Sequence, residues 1–164
     1  EKEIDEDTWG EFTDICIFAT DDPDYETYSE LYVSKYDEEG ELNSWIIKDS
    51  SNNTVSVFDK QIPDSKNIIT FYKTLAFNDK YSLLSVTLGT GRTHQIRVHM
   101  ASIHHPLLGD GIYGGPLDKG LSTQCLHARS LKFIHPRTGE SMAFTSPLPD
   151  YFTAALSRLG PAES

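Results

Sequence analysis

The stretch LGTGRTHQIRVHM, residues 88–100, closes one periodic pattern and opens another. Upstream, NIITFYKTLAFNDKYSLLSVTL (67–88) alternates apolar and polar residues on both sides of FNDK, as two strands joined by a tight turn would. Downstream, Ile96, His99, Met100 and Ile103 fall at i, i+3, i+4 and i+7, which predicts an amphipathic helix of about three turns. Thr93 stands where an N-cap belongs, and Arg97 lies off the apolar stripe, able to face a groove.

The strand pattern extends outward. EFTDICIFAT (11–20) is apolar and β-branched enough for a strand, and ELYVSKYDEEGEL (30–42) alternates and turns at Asp37–Gly40. SWIIKDSSNNTVSVF (44–58) reads as two strands joined through the polar cluster Asp49–Asn53. After the helix, HHPLLGDGIYGGP (104–116) has the Gly and Pro density of a structured loop. CLHARSLKFIHPRTGESMAFTSP (125–147) then predicts two strands around an HPRTG turn. PDYFTAALSRLGP (149–161) predicts a helix with Asp150 as N-cap, Gly160 as C-terminal cap and Pro161 as the stop. With no internal repeat or low-complexity tract, the expected class is a mixed α+β fold, mainly antiparallel sheet with few helices.

Length and composition suit one globular unit, and no apolar run is long enough to cross a bilayer as a helix. No tripartite secretion signal opens the sequence, and no membrane association is expected. Cys16 and Cys125 are far apart, without disulfide or zinc spacing, which fits a reducing, cytoplasmic setting. The net charge of −11 argues at first against a nucleic-acid partner. Its distribution does not: residues 1–41 hold 16 Asp and Glu against Lys2 and Lys35, whereas residues 42–164 hold 9 acids against 12 bases. Lys80 to Arg137 contains seven Lys and Arg, two acids and all six histidines. Residues 1–41 therefore form an acidic leader with strand segments, ahead of a basic portion.

Within the central stretch, Thr90-Gly91-Arg92-Thr93 would present backbone N–H groups at a helix N-terminus, where an anion is favoured, and Arg92 adds a planar fork of donors suited to phosphate. Turn geometry and a surface salt bridge account for the same residues equally well. A metal site is poorly supported, since His94 and His99 are five residues apart and diverge on a helix. No Gly-x-Ser-x-Gly elbow or activated cysteine marks a nucleophile.

Taken together, LGTGRTHQIRVHMASIHHPLLGDGIYGG (88–115) resembles the signature segment of the RluA-type (RluA/RluC/RluD-like) RNA pseudouridine synthases, a TGR-[ST]-HQ-[IL]-R-x-H core followed by G-H-P-[IL]-x-G-D and a tyrosine. The flanking strands and the closing hairpin and helix extend the resemblance, so residues 42–160 are expected to be the C-terminal portion of such a catalytic domain. The resemblance implies isomerisation of uridine in rRNA or tRNA, with no cofactor and no metal. The C1′–N1 glycosidic bond breaks, the uracil turns, and C5 rejoins the sugar after the nucleotide has been flipped from its stack. It implies that Arg97 pairs with the catalytic aspartate, and that Arg92, Thr93, His94 and Gln95 build the loop and touch RNA. Gly91, Gly109, Asp110 and Tyr113 would hold the loops in shape, the Asp110 turn being closed by an Asx hydrogen bond.

The sequence also departs from the pattern. The family's aspartate lies in a His-Arg-Leu-Asp motif upstream of the signature, and no such motif occurs here; the one Leu-Asp pair, Leu117-Asp118, follows the signature. The tyrosine expected on an early strand is missing from EFTDICIFA, and Gly-His-Pro is replaced by His104-His105-Pro106. One explanation is a fragment whose N-terminal segment carries the aspartate, so that this chain alone is inactive. The other is a non-catalytic RNA-binding or interaction module derived from the family. A sheet interrupted in this way would leave an open edge, which residues 1–41 or a missing segment would have to cover.

Overall fold

In a computed structural model the chain is described over residues 11–19 (backbone only), 39–78, 80–117, 120–121 and 123–159. Most of the acidic leader, together with Gly160 and Pro161, lies outside the described residues. Seven strands form one sheet: β1 (Glu11–Ala19), β2 (Glu39–Asp49), β3 (Thr54–Phe58), β4 (Lys66–Phe77), β5 (Tyr81–Leu88), β6 (Leu126–Ile134) and β7 (Ser141–Thr145). Their order is β3-β2-β4-β5-β1-β6-β7, and every neighbouring pair is antiparallel. Two helices complete the fold, α1 (Gln95–Ser102) and α2 (Asp150–Leu156), the latter followed by a 3₁₀ turn. This is the mainly antiparallel α+β architecture expected.

Polar residues set the turns. Asp49 accepts from the Ser51 N–H at 2.9 Å and Asn53 takes a left-handed φ of 51°, closing β2 onto β3. Asn78 Oδ1 accepts from the N–H groups of Lys80 and Tyr81 at 2.9 and 2.8 Å, which fixes the β4–β5 hairpin and pairs Phe77 with Ser82. β1, from residues 1–41, pairs with both β5 and β6 and lies between them. The described edges are β3 and β7.

Alternation along β5 buries Ser82, Leu84 and Val86 on one face. Against that face α1 packs Ile96 and Met100, beside Leu42, Tyr72 and Leu107, while Val98 joins Ile46, Val55 and Ile68. The helix differs from the predicted amphipathic one. It is shorter, and all of Gln95–Met100 is buried, including Arg97. Its outer side is covered by the following loop, in which Leu107, Leu108 and Asp110 are buried. Its end is a Schellman cap: His104 N–H donates to Ala101 and His105 N–H to Met100, with His104 at φ 63° in the left-handed region where glycine fits best. The family's Gly-His-Pro pattern would put glycine at that position. Helix α2 also starts one residue earlier than expected, with Pro149 as N-cap and Asp150 in the first turn.

His99 is 1% exposed, its Nδ1 2.8 Å from the Thr70 hydroxyl. Burial pushes its pKa down from 6.5 to about 4, so the folded protein keeps this imidazole neutral where the unfolded chain would protonate it. The associated stability is complete above pH 6.5 and is lost as pH falls toward 4, at up to about 1.4 kcal/mol per pH unit. Urea midpoints measured across that range should fall steeply for the native chain and less steeply for His99→Asn. Parallel pH profiles would contradict this assignment.

Candidate functional site

The loop before α1 is locked from within by Gln95, which is 2% exposed. Its Oε1 accepts from the Thr90 hydroxyl at 2.8 Å and the Arg92 N–H at 3.1 Å. Its Nε2 donates to the Ile69 carbonyl at 2.8 Å and to Thr70 Oγ1 at 3.1 Å. All four hydrogen-bonding sites of the amide are used, as a buried amide requires. Thr90 Oγ1 in turn accepts from Ile69 N–H, so the Thr90–Thr93 segment is bolted to β4. His94, and not Thr93, is the N-cap, at φ 55° with no side-chain cap, and Thr93 is left exposed.

Arg97 and Asp110 form a buried, two-pronged ion pair. Nε donates to Oδ2 at 2.7 Å and Nη2 to Oδ1 at 2.8 Å, with side chains 10% and 0% exposed. Asp110 Oδ1 also receives the N–H groups of Ile112 and Tyr113 at 3.2 and 3.3 Å, the contacts of an Asx turn. Burial alone would raise the Asp110 pKa, but hydrogen bonds and charge from Arg97 outweigh it and hold the carboxyl below its ordinary value. The hydrogen bonds to Asp110 raise the Arg97 pKa against its own desolvation. Around the pair the backbone is tight: a Cβ on Gly115 would sit 1.9 Å from the Leu107 carbonyl, so only glycine fits there.

Tyr113 completes the cluster. Its ring lies 5.1 Å from the Arg97 guanidinium carbon. Its hydroxyl accepts from the Val55 N–H at 3.0 Å and sits 2.9 Å from His94 Nδ1. A Tyr113 hydroxyl that donates to Nδ1 makes His94 the neutral Nε2–H tautomer. Burial, then the charge of Arg97, lowers the His94 pKa, in keeping with that state.

The predicted residues thus fall into two groups. His94, Arg97, Asp110 and Tyr113 meet in one network, whereas Gly91, Arg92 and Thr93, in the segment that Gln95 fastens to β4, line a cleft of about 340 Å³ together with Lys48 and Lys66. The sequence reading missed both lysines, which sit on strands remote in the chain, and missed Asp110 as the partner of Arg97. Among the described residues no three His, Cys, Asp or Glu side chains gather to hold a metal ion.

The RNA pseudouridylate synthase model matches residues 20–102, 83 of the 164 residues, ending on α1. The chain belongs to the RNA pseudouridylate synthase family. Its likeness to named RluA-type relatives agrees. It is 46% identical over 87 residues to the Bacillus subtilis (strain 168) "Uncharacterized RNA pseudouridine synthase YjbO", covering 53% of this chain and 30% of that protein. It is 43% identical over 110 residues to the Haemophilus influenzae (strain ATCC 51907 / DSM 11121 / KW20 / Rd) "Ribosomal large subunit pseudouridine synthase D", covering 59% of this chain and 34% of the relative. The chain therefore spans about a third of the length of these pseudouridine synthases. The solved "Human RNA Pseudouridylate Synthase Domain Containing 1" shares the fold, with a TM-score of 0.63 at 18% identity over 96% of this chain and 69% of that one.

Within this family fold, removing one partner of the buried pair strands the other charge. Arg97→Ala and Asp110→Ala should each cost about 3–5 kcal/mol in urea denaturation, and Arg97→Met/Asp110→Leu together less than the sum. Losses below about 1 kcal/mol for both single variants would show that the pair is dispensable.

Proposed function

We propose that this chain is the signature-bearing part of a cytoplasmic enzyme that converts uridine to pseudouridine in rRNA or tRNA, without cofactor or metal, and that a segment outside it supplies the nucleophilic aspartate. The observation that carries the reading is the family match running from residue 20 onto α1, the helix that holds Arg97. In the reaction the C1′–N1 bond breaks, the uracil turns, C5 bonds to C1′, the C5 proton is lost and N1 takes up a proton, so that substrate and product are isomers. Arg97 would orient the nucleophile through Nη1, the guanidinium nitrogen with no partner among the described residues, since Nε and Nη2 are held by Asp110. Because Asp110 already neutralises the guanidinium, Arg97 contributes direction more than net charge. Arg92, Thr93, His94 and Gln95 form the wall against the RNA backbone.

A second reading, which the unusual acidic leader favours, is an RNA-binding or interaction module derived from the family, without turnover. One experiment separates the two. Unmodified transcripts incubated with this chain alone should contain no pseudouridine by mass spectrometry of nucleosides, and product should appear when a family segment bearing His-Arg-Leu-Asp is added. In that reconstituted protein Arg97→Lys, which keeps a cation beside Asp110, should lose turnover at least ~100-fold while RNA affinity stays within ~3-fold. Turnover by the chain alone would overturn the proposed source of the nucleophile, and binding without turnover after reconstitution would establish the second reading.

A further inference from the structure

Glycines in this fold generally have a visible reason. Gly109, Gly114, Gly120 and Gly139 take left-handed φ values, and a Cβ on Gly40, Gly89 or Gly115 would collide with Tyr72, Ile69 or the Leu107 carbonyl. Gly111 already has Leu117 in van der Waals range. Gly91 and Gly111 have neither reason, and Gly91 is the more open of the two: its φ is outside the left-handed region and a Cβ there would meet nothing within 4 Å. Gly91 lines the cleft described above. Neither the conformation nor the packing of the described chain requires glycine here, but a ligand approaching the backbone closely would.

The same cleft has the charge of an anion site. Lys48, Lys66 and Arg92 line it, with Asp64 as the one acid among the described lining residues, on a chain whose net charge is −11. Both lysines are exposed. At about 340 Å³ the cleft lies at the small end of ligand sites, and it is bounded by Ile46 and Ile47. An apolar floor, cationic walls and a bare stretch of backbone together fit a sugar–phosphate unit.

We propose that this cleft seats one backbone phosphodiester of the RNA, with Lys48 and Lys66 as its cations and Gly91 as the point where the strand closes on the protein backbone. The assignment rests on the RNA reading above and adds residues of β2 and β4 to it. A phosphate held here fixes the strand beside the loop that leads into α1, and so sets where the flipped nucleotide lies relative to Arg97.

The test uses the full chain, a uridine-containing RNA hairpin and inorganic phosphate. Gly91→Ala should melt at or above the wild-type temperature, because the conformation suits alanine, yet bind RNA roughly tenfold more weakly. Lys48→Gln/Lys66→Gln should lower the slope of log affinity against log salt by about 1, whereas Lys132→Gln on β6 should leave it unchanged. Wild-type affinity and slope in both cleft variants, with Arg92→Ala still weakened, would overturn the phosphate seat while leaving the RNA reading intact. A wild-type chain that binds no RNA at any salt would overturn both. Phosphate-induced stabilisation that Gly91→Ala abolishes, without any effect of that variant on RNA affinity, would assign the cleft to a free anion instead.

Discussion

The buried pair of Arg97 and Asp110 is the constraint on which the rest of the site depends. A guanidinium and a carboxylate removed from water are stable only when each fills the other's hydrogen-bonding sites. That requirement fixes the loop of residues 103–117 over the outer side of α1, and therefore buries a helix side that would otherwise face solvent. Tyr113 follows from the same arrangement. Its backbone N–H donates to Asp110, its ring lies near Arg97, and its hydroxyl ties His94 to β3. The pair thus joins helix, loop and sheet in one network.

Gln95 performs the matching task on the other side of the helix start. By filling all four of its hydrogen-bonding sites it fastens Thr90 and Arg92 to β4, so the backbone of Gly91–Thr93 is held rigid without any contact to Gly91 itself. A preorganised surface of this kind loses little entropy when a ligand binds. The cationic cleft beside it also shows why the overall charge misleads. The acids of residues 1–41 dominate the net value, whereas a field is set by the groups within a Debye length, roughly 10 Å at ordinary salt. A nucleic-acid partner is compatible with an acidic chain when the basic groups converge.

Much of this was legible in the sequence because period and turn chemistry are local. The alternation of 67–88, the polar turns at Asp49–Asn53 and Asn78, and the switch to helical spacing at Ile96 each report on neighbours along the chain. What was not legible depends on who meets whom. Nothing in EFTDICIFA says that it enters between β5 and β6, since alternation shows which residues share a face and not which strand lies beside them. Arg97 was read as groove-facing because its position off the apolar stripe carries no information about Asp110, thirteen residues on. Lys48 and Lys66 carry no motif; only the pairing of β2 with β4 brings them to the Gly91 loop. The helix cap shows the same limit: Thr93 has the chemistry of an N-cap, but the helix begins one residue later, after His94 in the left-handed conformation.

The proposed contact of the Gly89–His94 loop with RNA is open to a heteronuclear NMR titration of isotope-labelled chain with a uridine-containing RNA hairpin. Amide shifts should concentrate at Gly89–His94 and at Lys48 and Lys66, while Arg97 and Asp110 keep the signals of an unbroken pair. Shifts confined to β6 and β7, with the 89–94 amides unmoved, would contradict it.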